Sequence, residues 1–190
     1  MSLPTADVSV RVAWAADAPA IAGCQVRAWR ELYASVLPAS VLEDLDDEAI
    51  AAAWTVALDK PGDARNRVLV ALERATVRGF AVTAPAADPD ADPVADGEIV
   101  EFSIDPAHRR AGHGSRLLQA CADTMRADRF TRAVWWLPTT GDALREFVTG
   151  TGWSADGAHR ELDLHGDGRV RLKQVRLHSA LTEPPADVDA

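Results

Sequence analysis

The chain has 190 residues, of which 47% are apolar and 26% charged, with a formal net charge of -9. That length suits one domain with a sizeable core. The acidic balance argues against general nucleic-acid binding, no apolar run could span a bilayer, and the first residues lack the basic-then-apolar pattern of a secretory signal, so a cytoplasmic protein with neither membrane nor nucleic-acid partner is expected.

Val8-Ser9-Val10-Arg11-Val12 alternates and reads as a first strand. Asp17 is an N-cap candidate, Pro19 fits a first helical turn, and a helix is expected to about Ser35. Ile21, Cys24, Ala28 and Leu32 form its core face, with Trp29 and Tyr33 one turn apart on the flank. Those two aromatics read equally as core or as the wall of a pocket. Leu37-Pro38 breaks the helix, and Val41, Leu42 and Leu45 open a connecting segment. Asp46 or Asp47 can cap a second helix to about Leu58. Lys60-Pro61-Gly62-Asp63 is a turn, and residues 68–72 and 77–83 read as a hairpin of strands about Arg74-Ala75-Thr76. Residues 85–97, with three prolines and four aspartates, read as a mobile acidic loop. A calcium loop would need a central glycine and a distal glutamate, so no metal site is expected there.

The stretch from Val100 to Leu118 organises the rest. Val100, Phe102 and Ile104 alternate with Glu101, Ser103 and Asp105, and Pro106 ends the strand. Arg109-Arg110-Ala111-Gly112-His113-Gly114-Ser115 leads into a helix whose core face is Leu117, Leu118, Cys121 and Met125. A helix N-terminus presents unpaired N–H groups and partial positive charge, and glycines let a phosphate approach them. Residues 106–132 carry six arginines against Asp123 and Asp128, a basic island in an acidic chain. The pattern is that of a diphosphate site. A dinucleotide fingerprint fails because Leu117 stands at the third glycine, and a P-loop fails for want of a lysine.

Further on, Arg132-Ala133-Val134-Trp135-Trp136-Leu137 reads as a buried strand closed by Pro138, and a helix follows from Gly141 or Asp142 to about Thr149. Residues 158–164 and 170–177 alternate as two strands around a His165-Gly166-Asp167-Gly168 hairpin. Cys24 and Cys121 each fall on an apolar helical face and are expected as buried free thiols. One domain over residues 1–182 and a disordered tail over 183–190 are expected.

Arg109-x-x-Gly112-x-Gly114 after a strand ending Ile104-Asp105-Pro106 resembles the acyl-CoA-binding signature of the GNAT superfamily of N-acyltransferases. Phe147, Gly152 and Trp153 resemble a second motif of that family, with Gly141 at its Asn and Val148 at its Tyr. The resemblance implies an α/β (α+β) fold, with a mixed, mostly antiparallel twisted sheet flanked by about four helices. It implies acetyl-CoA as co-substrate, no metal, and acetyl transfer to the primary amine of a small molecule or peptide by direct attack in a ternary complex. Homodimerisation is left open. The pyrophosphate would rest on the N–H groups of Arg110, Ala111, Gly112, His113, Gly114 and Ser115, with Arg109 and Arg110 adding charge-assisted donors, and the pantetheine along Phe102, Ser103 and Ile104. Trp29 and Tyr33 would face the acceptor. Glu98, in Glu98-Ile99-Val100, resembles the family's histone-type base, and Glu101 is the second carboxyl candidate. With Val148 at the Tyr position the usual acid is absent, so an acyl-CoA sensor without turnover is the alternative.

Overall fold

The computed structural model describes residues 8–164, 168 and 170–181. The chain begins with strand β1 (Val8–Val12), a 3₁₀ turn (Ala15–Asp17), helix α1 (Ala18–Leu32), a short helix α2 (Ala39–Glu43) and helix α3 (Asp47–Asp59). Strands β2 (Arg67–Glu73), β3 (Thr76–Pro85) and β4 (Asp96–Ile104) follow, then helix α4 (His113–Ala127). Strand β5 (Arg132–Pro138), helix α5 (Asp142–Thr149), and strands β6 (Ser154–Asp163) and β7 (Arg171–Ala180) complete the order. The expected elements are present, and α2 is an addition within the segment read as a connection. The His165–Gly168 hairpin lies mostly outside the described residues, and the tail lies outside them.

The seven strands form one sheet in the order β1-β2-β3-β4-β5-β7-β6. Every neighbouring pair is antiparallel except β4 and β5, which run parallel. Two antiparallel leaves, β1 to β4 and β5 to β7, thus meet along one short ladder, Asp96–Ile99 against Arg132–Trp135. Beyond that ladder β4 and β5 continue without pairing, and the sheet opens between them.

Each face of the sheet has its own core. Ile99, Leu117, Cys121, Met125, Trp135 and Leu177 pack on the α4 face. Ile21, Cys24, Val70 and Phe80 pack on the α1 face, with Trp54 of α3 set against them. Ile21 and Phe80 are fully buried, each contributing about 1.5–3 kcal/mol of transfer free energy. Trp54 Nε1 also donates to Gln25 Oε1 at 2.8 Å, which ties α3 to α1. Asp46 caps α3 by accepting from the N–H groups of Glu48 and Ala49 at 2.9 and 3.1 Å. Asp17 stands at the cap position of α1, but its carboxylate is turned to the Arg11 guanidinium at 2.7 Å and the Trp14 N–H at 2.7 Å. Among the described residues no helix is long and apolar enough to cross a membrane.

Candidate active site

The site is set by an irregularity in β4. Val82 pairs with Glu101 but Thr83 pairs with Ile99, so Val100 is an extra residue bulged out of the ladder. Strict alternation would put Val100 beside Phe102 and Ile104. Instead Val100 is 55% exposed. The bulge resets the period: Ile99, Phe102 and Ile104 share the α4 core, while Glu98, Glu101, Ser103 and Asp105 share the α1 side. Glu101 is three positions on from Glu98, which would ordinarily place them on opposite faces. The bulge also coincides with the end of the β4–β5 ladder.

Glu101 lies under α1. Trp29 Nε1 donates to its Oε1 at 3.3 Å and Ser103 Oγ donates to the same oxygen at 2.9 Å. Burial pushes its pKa up, partly offset by those two donors. Tyr33 sets its ring edge-on to Trp29, with centroids 6.2 Å apart. Burial, with a smaller contribution from Glu101, pushes the Tyr33 phenol up to about 12, so at neutral pH it carries its proton and can donate it. Asp105 fixes the strand end, its carboxylate accepting from Arg27 Nη2 at 2.8 Å and from the Ala107 N–H at 3.1 Å. Burial alone would raise Asp105, but those donors hold it below the usual carboxylate range.

Glu98 sits further back along the same face and is 8% exposed. Its one hydrogen bond among the described residues is a long one, 3.5 Å from the Ala87 N–H. Burial raises its pKa, Asp88 adds to that, and Arg160 and Arg176 counter it. The acidic loop beside it, expected to be mobile, is fastened. Arg176 of β7 reaches Asp88 at 3.3 Å, Asp90 at 2.7 Å and Asp156 at 2.8 Å. Trp136 Nε1 donates to Asp88 at 2.8 Å, and the Arg160 guanidinium stacks 4.3 Å from the Trp136 ring centroid. The loop is also shorter than expected, because β4 begins at Asp96. Nothing local in the sequence reveals Arg176 as its anchor, since 88 positions separate it from Asp88.

At the opposite end of β4, Gly112 precedes α4 with φ 83°, in the left-handed region. A Cβ built there meets no atom within 4 Å. The N–H groups of residues 111–115 have no acceptor among the described residues. Gly114 faces Phe147 of α5 and Ile104, a Cβ there coming within 3.7 and 3.9 Å of them. Backbone donors, open space and the mouth of the β4–β5 opening therefore coincide, and they fit a diphosphate with an arm running into the sheet. The side chains contribute less than the sequence suggests. Arg109 pairs with Glu31 of α1. The His113 imidazole is 1% exposed with neither ring nitrogen bonded among the described residues. Burial lowers its pKa, and at that exposure the ring is turned from the mouth, so His113 offers a ligand its main-chain N–H. Arg110, Ala111 and Ser115 are exposed at the mouth.

Val148 is fully buried within the α4-side core, so the side chain at that helical position points away from the opening and Phe147 is the one turned to it. Both cysteines are free, buried, and pushed up to about 12 by burial, which removes them as nucleophiles at neutral pH. Among the described residues no cluster could hold a metal ion.

The description of the acetyltransferase (GNAT) family matches residues 26–147. The chain belongs to that family, and acetyl transfer is its chemistry at that level. No curated protein matches the chain by sequence. Among solved structures, yncA from Salmonella typhimurium, solved with its cofactor acetyl-CoA, is 20% identical with a TM-score of 0.65, over 94% of this chain and 96% of that one. The ribosomal-protein-alanine N-acetyltransferase from Brucella melitensis is 20% identical with a TM-score of 0.69, over 90% and 99%. PaiA N-acetyltransferase from Thermoplasma acidophilum, in complex with coenzyme A, is 12% identical with a TM-score of 0.65, over 92% and 99%. At such identities the likeness is one of fold.

Proposed function

We propose that the chain transfers the acetyl group of acetyl-CoA to a primary amine by direct attack in a ternary complex. The observation that carries this reading is the coincidence of an uncommitted N–H cradle at residues 111–115 with an opening between β4 and β5. The diphosphate of acetyl-CoA lies on that cradle. The pantetheine follows Phe102, Ser103 and Ile104 into the opening, where main-chain donors polarise the thioester carbonyl. The amine arrives from the α1 side, past Trp29 and Tyr33.

An alkylammonium has a pKa of about 10.4 and must lose a proton before it attacks. Glu98, buried and in no ion pair among the described residues, takes that proton directly or through water. The C–N bond then forms, the C–S bond breaks, and the thiolate leaves. A thiol has a pKa of about 8.5, so protonation of the leaving group by solvent suffices. Tyr33 is the one tyrosine of the chain, and it is a protonated donor on the acceptor side.

The test is free-thiol release from acetyl-CoA across a panel of amines. Turnover on any amine supports transfer, while acetyl-CoA binding without turnover makes the protein a sensor. Glu98→Gln is expected to lower kcat by about 10²–10⁴, as general-base loss does, with acetyl-CoA affinity kept. A crippled Glu101→Gln beside an active Glu98→Gln would move the base to Glu101.

A further inference from the structure

We infer that the acceptor carries a second cationic group, a diamine-like substrate held by Glu101 while Glu98 takes the proton of the reacting amine. This rests on the acetyltransferase reading and names the substrate class of the same site.

The observation is an imbalance of charge. Buried carboxylates are ordinarily paired, because an isolated charge in a low-dielectric interior is costly. Elsewhere in this chain the rule holds. Asp17 pairs with Arg11 at 2.7 Å, Asp105 with Arg27 at 2.8 Å and Asp128 with Arg67 at 2.9 Å. Asp96 has Arg132 at 3.6 Å, and Asp88 and Asp156 share Arg176. Among the described residues the buried Glu98 and the partly buried Glu101 stand in no ion pair, with Arg160 and Arg176 acting on Glu98 only from beyond pairing distance. Glu98 has only the long contact to the Ala87 N–H, although more than nine-tenths of it is buried. Glu101 has two neutral donors, Trp29 and Ser103. The bulge at Val100 then brings both to one side of β4, the side that α1 covers with Trp29 and Tyr33. The faces of those rings attract cations. One proton acceptor suffices for one reacting amine, so a second carboxyl left without a cation implies a second positive charge on the ligand.

Spacing adds a constraint. Three residues of strand cover about 10 Å at about 3.3 Å each, somewhat less across a bulge. An alkyl chain of about four to six methylenes between two nitrogens fits that span. An acceptor with a carboxylate in place of the second amine would meet Glu101 as a like charge.

Acetylation balances without a further reactant. One ammonium loses a proton to Glu98, its nitrogen bonds the acetyl carbon, the C–S bond breaks, the nitrogen's second proton passes through water to the departing thiolate, and the second ammonium stays unchanged on Glu101.

The experiment compares 1,4-diaminobutane and 1,5-diaminopentane with butylamine, pentylamine and 4-aminobutanoate, in free-thiol assays and by calorimetry on the CoA-loaded protein. The diamines are expected to show at least tenfold higher kcat/KM and tighter binding than the monoamines, with 4-aminobutanoate the poorest. Glu101→Gln should bring diamine and monoamine within about twofold of each other. Glu98→Gln should lower turnover on both while preserving their ratio. Monoamines turned over as well as diamines would overturn the inference and leave the acetyltransferase reading intact. Turnover on no amine would overturn the acetyltransferase reading, and calorimetry then decides the inference: selective diamine binding abolished in Glu101→Gln supports it, equal binding of the two classes sinks it. Exchanged phenotypes of the two variants would keep the diamine and reverse the roles of the carboxyls.

Discussion

Glu98 and Glu101 are raised by burial, whereas Asp17 and Asp105 are lowered by their arginines and by backbone donors. The two pairs act on stability in opposite directions. A carboxyl with a raised folded pKa favours folding fully below its unfolded value of about 4.3, and that contribution is lost as pH rises through the folded value. A lowered carboxyl contributes above its unfolded value of about 3.9, and that contribution is lost as pH falls through the folded one. Glu101→Gln is therefore expected to raise the Tm at pH 8 by on the order of a few degrees while impairing catalysis, with the gain gone at pH 4; thermal melts at both pH values check this. Asp105→Asn should show the reverse, a loss at pH 8 that shrinks in acid. Gly112 brings a different cost. Its φ of 83° is open to glycine and strained for a β-branched residue, while the space beside it is empty. Gly112→Val is expected to fold with a penalty of about 1–3 kcal/mol and to lose most of its acetyl-CoA affinity, measured by calorimetry against chemical denaturation of the same sample. Unchanged affinity in a folded variant would remove the diphosphate from that turn.

Helix α5 shows where a family motif misleads. A phenol at position 148 would serve only if that side of the helix faced the opening, and Val148 is fully buried in the core with Trp135 and Trp153. Val148→Tyr is thus expected to overpack the α4-side core by about 1–3 kcal/mol and to add no activity; denaturant titration with an activity assay would show both. Tyr33→Phe is the informative removal of a phenol. Elements with local signals were legible: the Asp46 cap, the period of Leu117, Leu118, Cys121 and Met125, and the glycines before α4 each act within a few residues. The bulge at Val100 was not, because its cause is the register of β3 across the sheet. The side of β4 taken by Glu98 was hidden for the same reason. The Arg109–Glu31 pair was hidden too, because it depends on how α1 lies beside the α4 mouth. The sequence placed Glu101 opposite Phe102 correctly, since no irregularity intervenes between them.

Arg176 acts across the whole molecule. Its side chain is 7% exposed among Asp88, Asp90 and Asp156, joining β7, β6 and the loop before β4. Arg176→Met keeps the stem's packing, takes from Asp90 its arginine and leaves Asp88 and Asp156 to Arg160 and Arg132 at 3.6 and 2.9 Å, so a loss of about 1.5–3 kcal/mol is expected, with the loop freed to proteolysis at residues 86–95; limited digestion with mass spectrometry would locate the cut. The two antiparallel leaves behave as larger units still. Their backbone junction is a ladder of four residue pairs, and the opening begins where that ladder stops. Hinged there, β5 to β7 can swing out together before either leaf unravels, so their amides should share one opening free energy in hydrogen exchange. A donor lodged at the seam would work as a staple, since a ligand bound only to the closed form adds to the cost of opening. Its protection would then extend to β6, the edge strand of that leaf, in amides the donor never touches.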